Sequence, residues 1–293
     1  MSLRTLLDKK KNLLLLGASS PIEALQMEAL GYEAAYISGA VLSTTLGLLD
    51  EGKISRNKMA NFVREIRNAS DLPLLVDCDT GLLSKKEMAT KRVDEDAIIR
   101  KTVGALEIAG ADAIQIEDQV PSKKRCGHLD GKEVISMGDM SRKIRLAALK
   151  RKSKNFLIVA RTDARAPEGL DNAIWRAEHY VKAGADIIFP EALESEDEFR
   201  KFREAVPQIP LVANLAEGGK TPGNLTTEKL FSLGYQIVLI PATPLRLMLR
   251  FYGTILKHAK DIGSLYYAGD RFGILSRGDL IEFIKNNSKV YKK

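Results

Sequence analysis

The sequence predicts an α/β fold of the (β/α)8 TIM type, a closed parallel barrel with extra helices at its C-terminal end. Three observations predict it. Short apolar runs recur eight times, at Leu13–Ala18, Ala34–Gly39, Leu72–Asp79, Ala111–Asp118, Phe156–Asp163, Ala185–Ala192, Pro210–Ala216 and Gln236–Thr243. The stretches between them carry helical periodicity, as in Ala173, Ile174, Ala177, Tyr180, Val181 and Ala183. Several runs are entered through a glycine, at Gly31-Tyr32, Gly110-Ala111, Gly184-Ala185 and Gly234-Tyr235. A glycine there ends the preceding helix in a left-handed cap and turns the chain into the next strand.

Each element follows from these patterns. The first run, Leu13–Leu16, comes directly after Lys9–Lys11. Its apolar stretch is shorter than a secretory h-region of roughly 7–15 residues, so it reads as a buried first strand. The runs are nearly continuous in apolar character, so both faces of the sheet are covered and the strands are parallel. Their alternation with helical stretches gives βαβ units. Eight units favour closure over an open doubly wound sheet, which is the runner-up. Residues 1–263 are read as the barrel domain. Residues 264–293, with a helical stretch at Gly278–Asn286 and a basic tail, are read as a helical extension, either part of that domain or exchanged between subunits.

Composition narrows the function. A chain of 293 residues suits one barrel of about 250 residues plus extensions. No run of about 18 apolar residues exists, so no membrane span is expected. The net charge of +7 comes from 45 basic and 38 acidic residues, scattered rather than gathered into a basic stripe with interleaved aromatics. Nucleic acid is therefore not an expected partner, while an anionic small molecule is. Two cysteines, Cys78 and Cys126, make no disulfide framework and point to a reducing, cytoplasmic setting.

Polar residues at strand C-termini are where barrel enzymes keep their chemistry. Here the runs end in Ser38, Asp77 and Asp79, Glu117 and Asp118, Arg161 and Asp163, Glu191, and Asn214. Asp77 and Asp79, two apart on a strand, share a face, with Cys78 turned toward the helices. Two carboxylates on one face repel unless a cation joins them, and hard oxygen ligands suit Mg2+ or Mn2+. Glu117 can add a third. In Lys123-Lys124-Arg125-Cys126-Gly127-His128, cations lower the thiol pKa and Gly127 permits a strained or mobile loop, so Cys126 can exchange a proton with a substrate. Arg161 offers a guanidinium fork for a carboxylate, and Arg246 is a second candidate. Asn214 and Thr221 read as hydrogen-bond donors. Plainer roles compete: capping acids, an incidental surface thiol, an Arg161 salt bridge to Asp163 or Glu191, an exposed Arg246, turn roles for Asn214 and Thr221. Trp175 and His179 read as packing residues.

Together these motifs resemble a known family. Ala-Tyr-Ile-Ser-Gly-Ala (35–40), Val-Asp-Cys-Asp-Thr-Gly (76–81), Ile-Glu-Asp-Gln (116–119), Lys-Arg-Cys-Gly-His (124–128), Ala-Arg-Thr-Asp-Ala (160–164), Phe-Pro-Glu-Ala (189–192) and Ala-Asn (213–214) stand in the order found in the isocitrate lyase/phosphoenolpyruvate mutase superfamily. The likeness covers about residues 3–260 and is greatest to its 2-methylisocitrate lyase branch. The resemblance implies that Asp77, Asp79 and, directly or through water, Asp50 and Glu117 hold Mg2+. It implies a pocket lined by Tyr36, Ser38, Gly39 and Ala40. Substrate contacts would come from Arg161, Glu191, Asn214, Thr221 and Arg246. Cys126 would be the acid, with Gly127 and His128 on its closing loop. It also implies propionate catabolism and a homotetramer that exchanges C-terminal helices. The loop cysteine and Phe189-Pro190-Glu191 with Leu239 favour C–C cleavage of a methylisocitrate-type substrate. The chain departs from the family at Leu82-Leu83, where Phe-Gly is usual, in an insertion at about Ser84–Asp96, and at Leu48-Leu49-Asp50, where a proline before the aspartate is common.

The implied chemistry is a retro-aldol cleavage of a small di- or tricarboxylate into pyruvate and succinate. The metal stabilises the oxyanion and enolate, Cys126 supplies the proton, Arg161 offsets charge on the second carboxylate, and Tyr36 is a candidate base. Two rivals stand beside it. One is a related enzyme acting on oxaloacetate or a substituted malate, as decarboxylase, hydrolase or lyase. The other is a non-catalytic ligand-binding barrel.

Overall fold

In the computed structural model, residues 1–9, 12–83, 85–88, 94–125, 131–265 and 273–291 are described. The chain opens with α1 (Leu3–Lys9). Eight strands follow: β1 (Leu13–Gly17), β2 (Ala35–Ile37), β3 (Leu74–Asp77), β4 (Ala113–Glu117), β5 (Leu157–Thr162), β6 (Ile187–Pro190), β7 (Val212–Asn214) and β8 (Ile237–Ile240). Each lies inside one of the eight predicted runs. All pair in parallel, in the order β6-β5-β4-β3-β2-β1-β8-β7. A parallel bridge between Ile188 and Leu211 joins β6 to β7, so the barrel closes.

The strands divide their side chains between two layers. Leu13, Leu15, Leu75, Ala113, Leu157, Val159, Ile187, Val212 and Ile237 fill the barrel interior, and Leu3 and Leu6 of α1 pack into the same cluster. Their neighbours Ile37, Val76, Ile114, Ile158, Ile188 and Val238 face outward, against the helices. This is the period-two alternation of a strand buried on both faces. Each fully buried aliphatic side chain contributes about 1.5–3 kcal/mol of transfer free energy, so the two layers are the principal source of stability.

The outer layer includes α2 (Pro21–Ala29), α3 (Gly39–Thr45), α4 (Arg56–Ala69), α5 (Lys85–Met88), α6 (Glu95–Ala109), α7 (Met137–Lys150), α8 (Arg165–Glu168), α9 (Leu170–Ala183), α10 (Glu196–Ala205) and α11 (Thr227–Ser232). Gly110 and Gly184 end α6 and α9 with φ of 97° and 107°, as the sequence pattern predicts. Trp175 departs from its predicted packing role. It is 48% exposed and meets the His179 ring at 4.6 Å, because α9 turns that face to solvent. After β8 run the long α12 (Thr243–Ile262) and α13 (Arg277–Asn287). Beyond α13 the Lys289 amide donates to the Ala69 carbonyl at 3.0 Å, and its ammonium meets Asp71 at 2.8 Å, at the end of α4. Part of the Ser84–Asp96 insertion is described. Glu87 on α5 pairs with Arg56 at 3.1 Å and Lys101 at 3.0 Å, which ties it to α4 and α6.

Candidate active site

The strand C-termini open into one cavity of about 330 Å3. Of the residues predicted from sequence, Tyr36, Ser38, Ala40, Asp50, Asp77, Glu117, Arg161, Glu191, Asn214 and Arg246 line it. Gly39 and Asp79 adjoin its lining, Gly39 against Asp77 and Asp79 against Lys124. A methyl group at Gly39 would come within 3.3 Å of both the Asp77 and Asp79 carboxylates, so glycine leaves the space these oxygens occupy. Thr221 stands apart. Its hydroxyl donates to the Asn214 carbonyl at 2.6 Å, which fixes the end of β7 instead of facing the cavity. Cys126, Gly127 and His128 lie outside the described residues.

The two aspartates converge by a different route from the predicted one. Strand β3 stops at Asp77, and Asp79 lies past its end with φ of 48°. The Asp79 amide donates to Asp77 Oδ1 at 3.0 Å, and its carbonyl accepts from the Glu117 amide at 2.9 Å. A left-handed turn, not strand alternation, thus brings the second carboxylate back over the first. Cys78 does turn into the helix-side core. The other non-glycine residue with positive φ among those described is Ala192, at 62°, directly after Glu191. Both strained positions sit at the mouth, where such strain tends to serve a site.

The acidic half of the cavity is crowded. Burial, with Asp77 adding to it, pushes the Asp79 carboxyl up to about 6, against the pull of Lys124. Burial likewise raises Glu117 well above the usual carboxylate range, although Arg161 pulls the other way. Glu117 Oε1 is buried with no hydrogen-bond partner. Lys124 answers part of this charge, with its ammonium 2.5 Å from Asp79 Oδ1 and 2.6 Å from Asp50 Oδ1. Burial alone would lower the Lys124 pKa, but Asp79, Glu117, Asp50 and Asp77 raise it instead, so the side chain stays charged. The Tyr36 hydroxyl donates to Gln115 at 3.1 Å, and the Gln115 amide donates to Asp77 Oδ1 at 3.2 Å. Burial, reinforced by Asp77, raises the Tyr36 phenol well above its usual range. In this arrangement Tyr36 holds its proton.

The basic half is ordered around Arg161. Its Nε and Nη2 both reach Asp163 at 2.9 Å, while Nη1 stands 3.5 Å from Glu191 and the guanidinium lies over Phe189. The sequence reading offered the fork to a substrate. In the structure Asp163 occupies two of its donors, and Nη1 is the edge beside Glu191. Asn214 Nδ2 donates to Glu191 at 3.2 Å, and Asn214 Oδ1 has no partner. Arg246 Nη1 donates to the Glu217 carbonyl at 2.9 Å, and Thr243 donates to the Glu217 carboxylate.

Sequence reasoning missed Lys124, Gln115 and Glu217 as site residues. Gln115 carried a usable signal, two positions before Glu117 on one strand face. Lys124 was visible only as one of several cations flanking Cys126.

The ligand chemistry of the acidic half fits a hard cation. Carboxylate oxygens of Asp77 and Asp79 converge, a third at Glu117 is unpartnered, and a positive charge already bridges Asp79 and Asp50. Among the described residues no group of three or more acid, histidine or cysteine side chains is set as a finished metal centre.

Comparison with known proteins agrees with this geometry. The family described as phosphoenolpyruvate phosphomutase matches residues 3–260. The chain is 44% identical over 262 residues to a 2-methylisocitrate lyase of Aeropyrum pernix, covering 89% of this chain and 80% of that one. It is 40% identical over 254 residues to the 2-methylisocitrate lyase of Bacillus subtilis, covering 85% and 79%. Among solved structures, oxaloacetate acetylhydrolase in complex with 3,3-difluorooxalacetate superposes with a TM-score of 0.85 at 26% identity, over 97% of this chain and 92% of that one. Phosphonopyruvate hydrolase in complex with oxalate and Mg++ superposes with a TM-score of 0.81 at 23% identity, over 98% and 96%.

Proposed function

Because the chain belongs to the phosphoenolpyruvate phosphomutase family, we propose that it is a carbon–carbon lyase that cleaves 2-methylisocitrate to pyruvate and succinate. The observation that carries this reading is the 44% identity, over 89% of the chain, to a lyase of that name. The cavity supports it. Acids with a bridging cation, Arg161 beside Glu117 and Glu191, and Arg246 share its lining, and Phe189 and Leu239 supply apolar wall for a methyl group.

In this reading Asp77 and Asp79 would hold Mg2+, and Asp50 and Glu117 would hold it directly or through water. When bound, the ion supplies a Lewis acid that lowers the pKa of the substrate hydroxyl and steadies the negative charge that follows. The chain's own residues do the rest. Gly39 donates its amide to Asp77 at 3.2 Å and Gln115 donates to the other oxygen, so that carboxylate is held in place. Once the hydroxyl has given its proton to a base, its oxygen becomes the pyruvate carbonyl as the bond between that carbon and its neighbour breaks, and the electron pair passes to a carbon next to a carboxylate. Cys126 delivers a proton to that carbon, giving succinate. Arg161 Nη1 and Arg246 face the anionic groups of the substrate. The phenol of Tyr36 is protonated and bonded to Gln115, so it orients that amide rather than acting as the base in this state.

Assay of pyruvate and succinate release, with 2-methylisocitrate, isocitrate, oxaloacetate and 2,3-dimethylmalate supplied in parallel, tests the proposal. Release of both products from 2-methylisocitrate in preference to the others is expected. Turnover of oxaloacetate alone would replace this reading with the rival that the acetylhydrolase likeness favours.

We also propose a homotetramer. Helix α12 exposes Leu247, Phe251, Tyr252 and Leu256, an apolar face too continuous to be left in water. Light scattering in solution would return the tetramer mass, and Phe251→Asp would lower it. A cytoplasmic setting suits the free, buried Cys78 and a loop thiol that must stay reduced.

A further inference from the structure

Lys132 is an unusual residue for a loop. Its side chain is 1% exposed, and its ammonium reaches Asp163 Oδ1 at 2.8 Å. Asp163 is itself fully buried and accepts two bonds from Arg161. Its amide donates to Asp118 Oδ1 at 2.8 Å, which fixes the backbone that carries the carboxylate. The backbone around Lys132 is equally fixed. Gln119 bridges Val134 in antiparallel fashion, the Val120 amide donates to the Glu133 carbonyl at 2.9 Å, and the Ile135 amide to the Asp118 carbonyl at 2.8 Å. A buried ammonium costs several kcal/mol to desolvate, so packing alone would be served better by an alkyl chain.

The charge count says what the ammonium does. Asp50, Asp77, Asp79, Glu117, Asp163, Glu191 and Glu217 crowd the mouth, against Lys124, Arg125, Arg161 and Arg246. If Asp163 belonged to Arg161 alone, that pair would be neutral, and an anionic substrate would meet no net positive charge at that guanidinium. With Asp163 shared between two cations, the Arg161–Asp163–Lys132 group keeps one positive charge, and the donor of Arg161 that Asp163 does not take is Nη1, 3.5 Å from Glu191, while Nε also stands 3.7 Å from Glu117.

We infer that Lys132 is a positioning residue: by sharing Asp163 with Arg161 it holds that guanidinium in place and leaves its positive charge available to a substrate carboxylate. The inference rests on the reading above, in which Arg161 faces such a carboxylate.

The test measures succinate affinity by calorimetry in the presence of Mg2+, and kcat and KM for 2-methylisocitrate, in Lys132→Met, Lys132→Arg and Arg161→Met. Lys132→Met is expected to weaken succinate binding and lower kcat/KM by about tenfold or more, the scale of losing one charge-assisted contact. Lys132→Arg, which restores the charge, is expected to recover both to within about threefold. Circular dichroism establishes that the compared samples are folded. If Lys132→Met does not fold, Lys132→Gln takes its place with the same expected loss. Succinate affinity unchanged in the folded neutral variant, or no recovery with arginine, would overturn the inference. If Arg161→Met itself leaves succinate binding unchanged, the failure lies with the reading of the site. If Arg161→Met weakens binding and the Lys132 variants do not, it lies with the inference.

Discussion

The two ends of the barrel treat their acids in opposite ways. At the strand N-termini, Asp112 accepts from the Leu74 amide at 3.0 Å and from Arg67 at 2.7 Å. Asp186 accepts from the Ile158 amide at 2.9 Å, from Arg4 at 2.6 Å and from Arg151. Gln236 repeats the device with the Leu211 amide at 2.9 Å. Each follows a helix-ending glycine by two positions, and each caps the strand before its own. At the strand C-termini, Asp77, Asp79 and Glu117 crowd together, with Asp79 and Glu117 raised and a Glu117 oxygen unpartnered, although Asp118 and Asp163 beside them are as fully bonded as the acids at the other end. Satisfied acids stabilise, whereas acids held in mutual repulsion are kept for a ligand, and it is the C-terminal end that carries the second kind.

The sharpest way to break this contrast is at Asp79. Asp79→Ala is expected to lower turnover by at least about a thousandfold, the several kcal/mol that a divalent ion supplies, and to abolish saturable Mg2+ binding in calorimetry. Its thermal midpoint in the absence of metal should not fall, because the substitution relieves like-charge crowding. A fall comparable to that of an Asp186 variant would erase the distinction between the two ends. Next in size is Cys126→Ser. It is expected to reduce turnover by about 10²–10⁴-fold, the usual range for a proton donor, while Mg2+ affinity stays at the wild-type value.

Lys124 and pH sharpen the same comparison more gently. Lys124 now bridges Asp79 and Asp50, where it competes with any other cation. Lys124→Met is expected to tighten Mg2+ binding about tenfold at low ionic strength, equivalent to about 1.4 kcal/mol of relieved competition. Weaker binding would mean that the ammonium helps to build the site. In the wild type, Mg2+ affinity should fall as pH drops through about 6, where Asp79 takes up its proton. The sign for stability is the reverse. A carboxyl raised from its ordinary value near 3.8 to about 6 stabilises the metal-free fold below 3.8, and that contribution is lost as pH rises through about 6.

Most of this architecture is legible in the sequence because it rests on local, repeated signals. The eight strands show as apolar runs, and Gly110 and Gly184 mark the ends of their helices through a conformation that other residues rarely adopt. The cavity-lining residues are legible as polar side chains where apolar strands stop. Which partners those side chains take is not. The pairing of Arg161 with Asp163 stood only as an alternative to a fork offered to substrate, since side chains two apart on a strand can pair with each other or both face the cavity. The route of Asp79 was misread for a related reason. Spacing predicts a shared face if the strand continues, and only the left-handed turn reveals that it does not. Lys132 gave no signal at all, because its role depends on Asp163 arriving from β5.

The smallest expected effect on chemistry lies at the opposite end of the barrel. Asp186→Ala leaves the Ile158 amide without its acceptor and strands Arg4 and Arg151 beside each other. An unsatisfied, partly buried donor with a broken ion pair costs about 1–3 kcal/mol. For a chain of this size that lowers the thermal midpoint by about 2–4 °C per kcal/mol. The catalytic constants should nevertheless remain within about twofold of wild type, since Asp186 precedes β6 while Glu191 follows that strand's other end, and substitutions away from a site mostly act through stability. Differential scanning calorimetry and steady-state kinetics on the same sample separate the two quantities. A large loss of kcat without a loss of midpoint would show that the ends of the barrel are coupled, and would remove the division of labour argued from its acids.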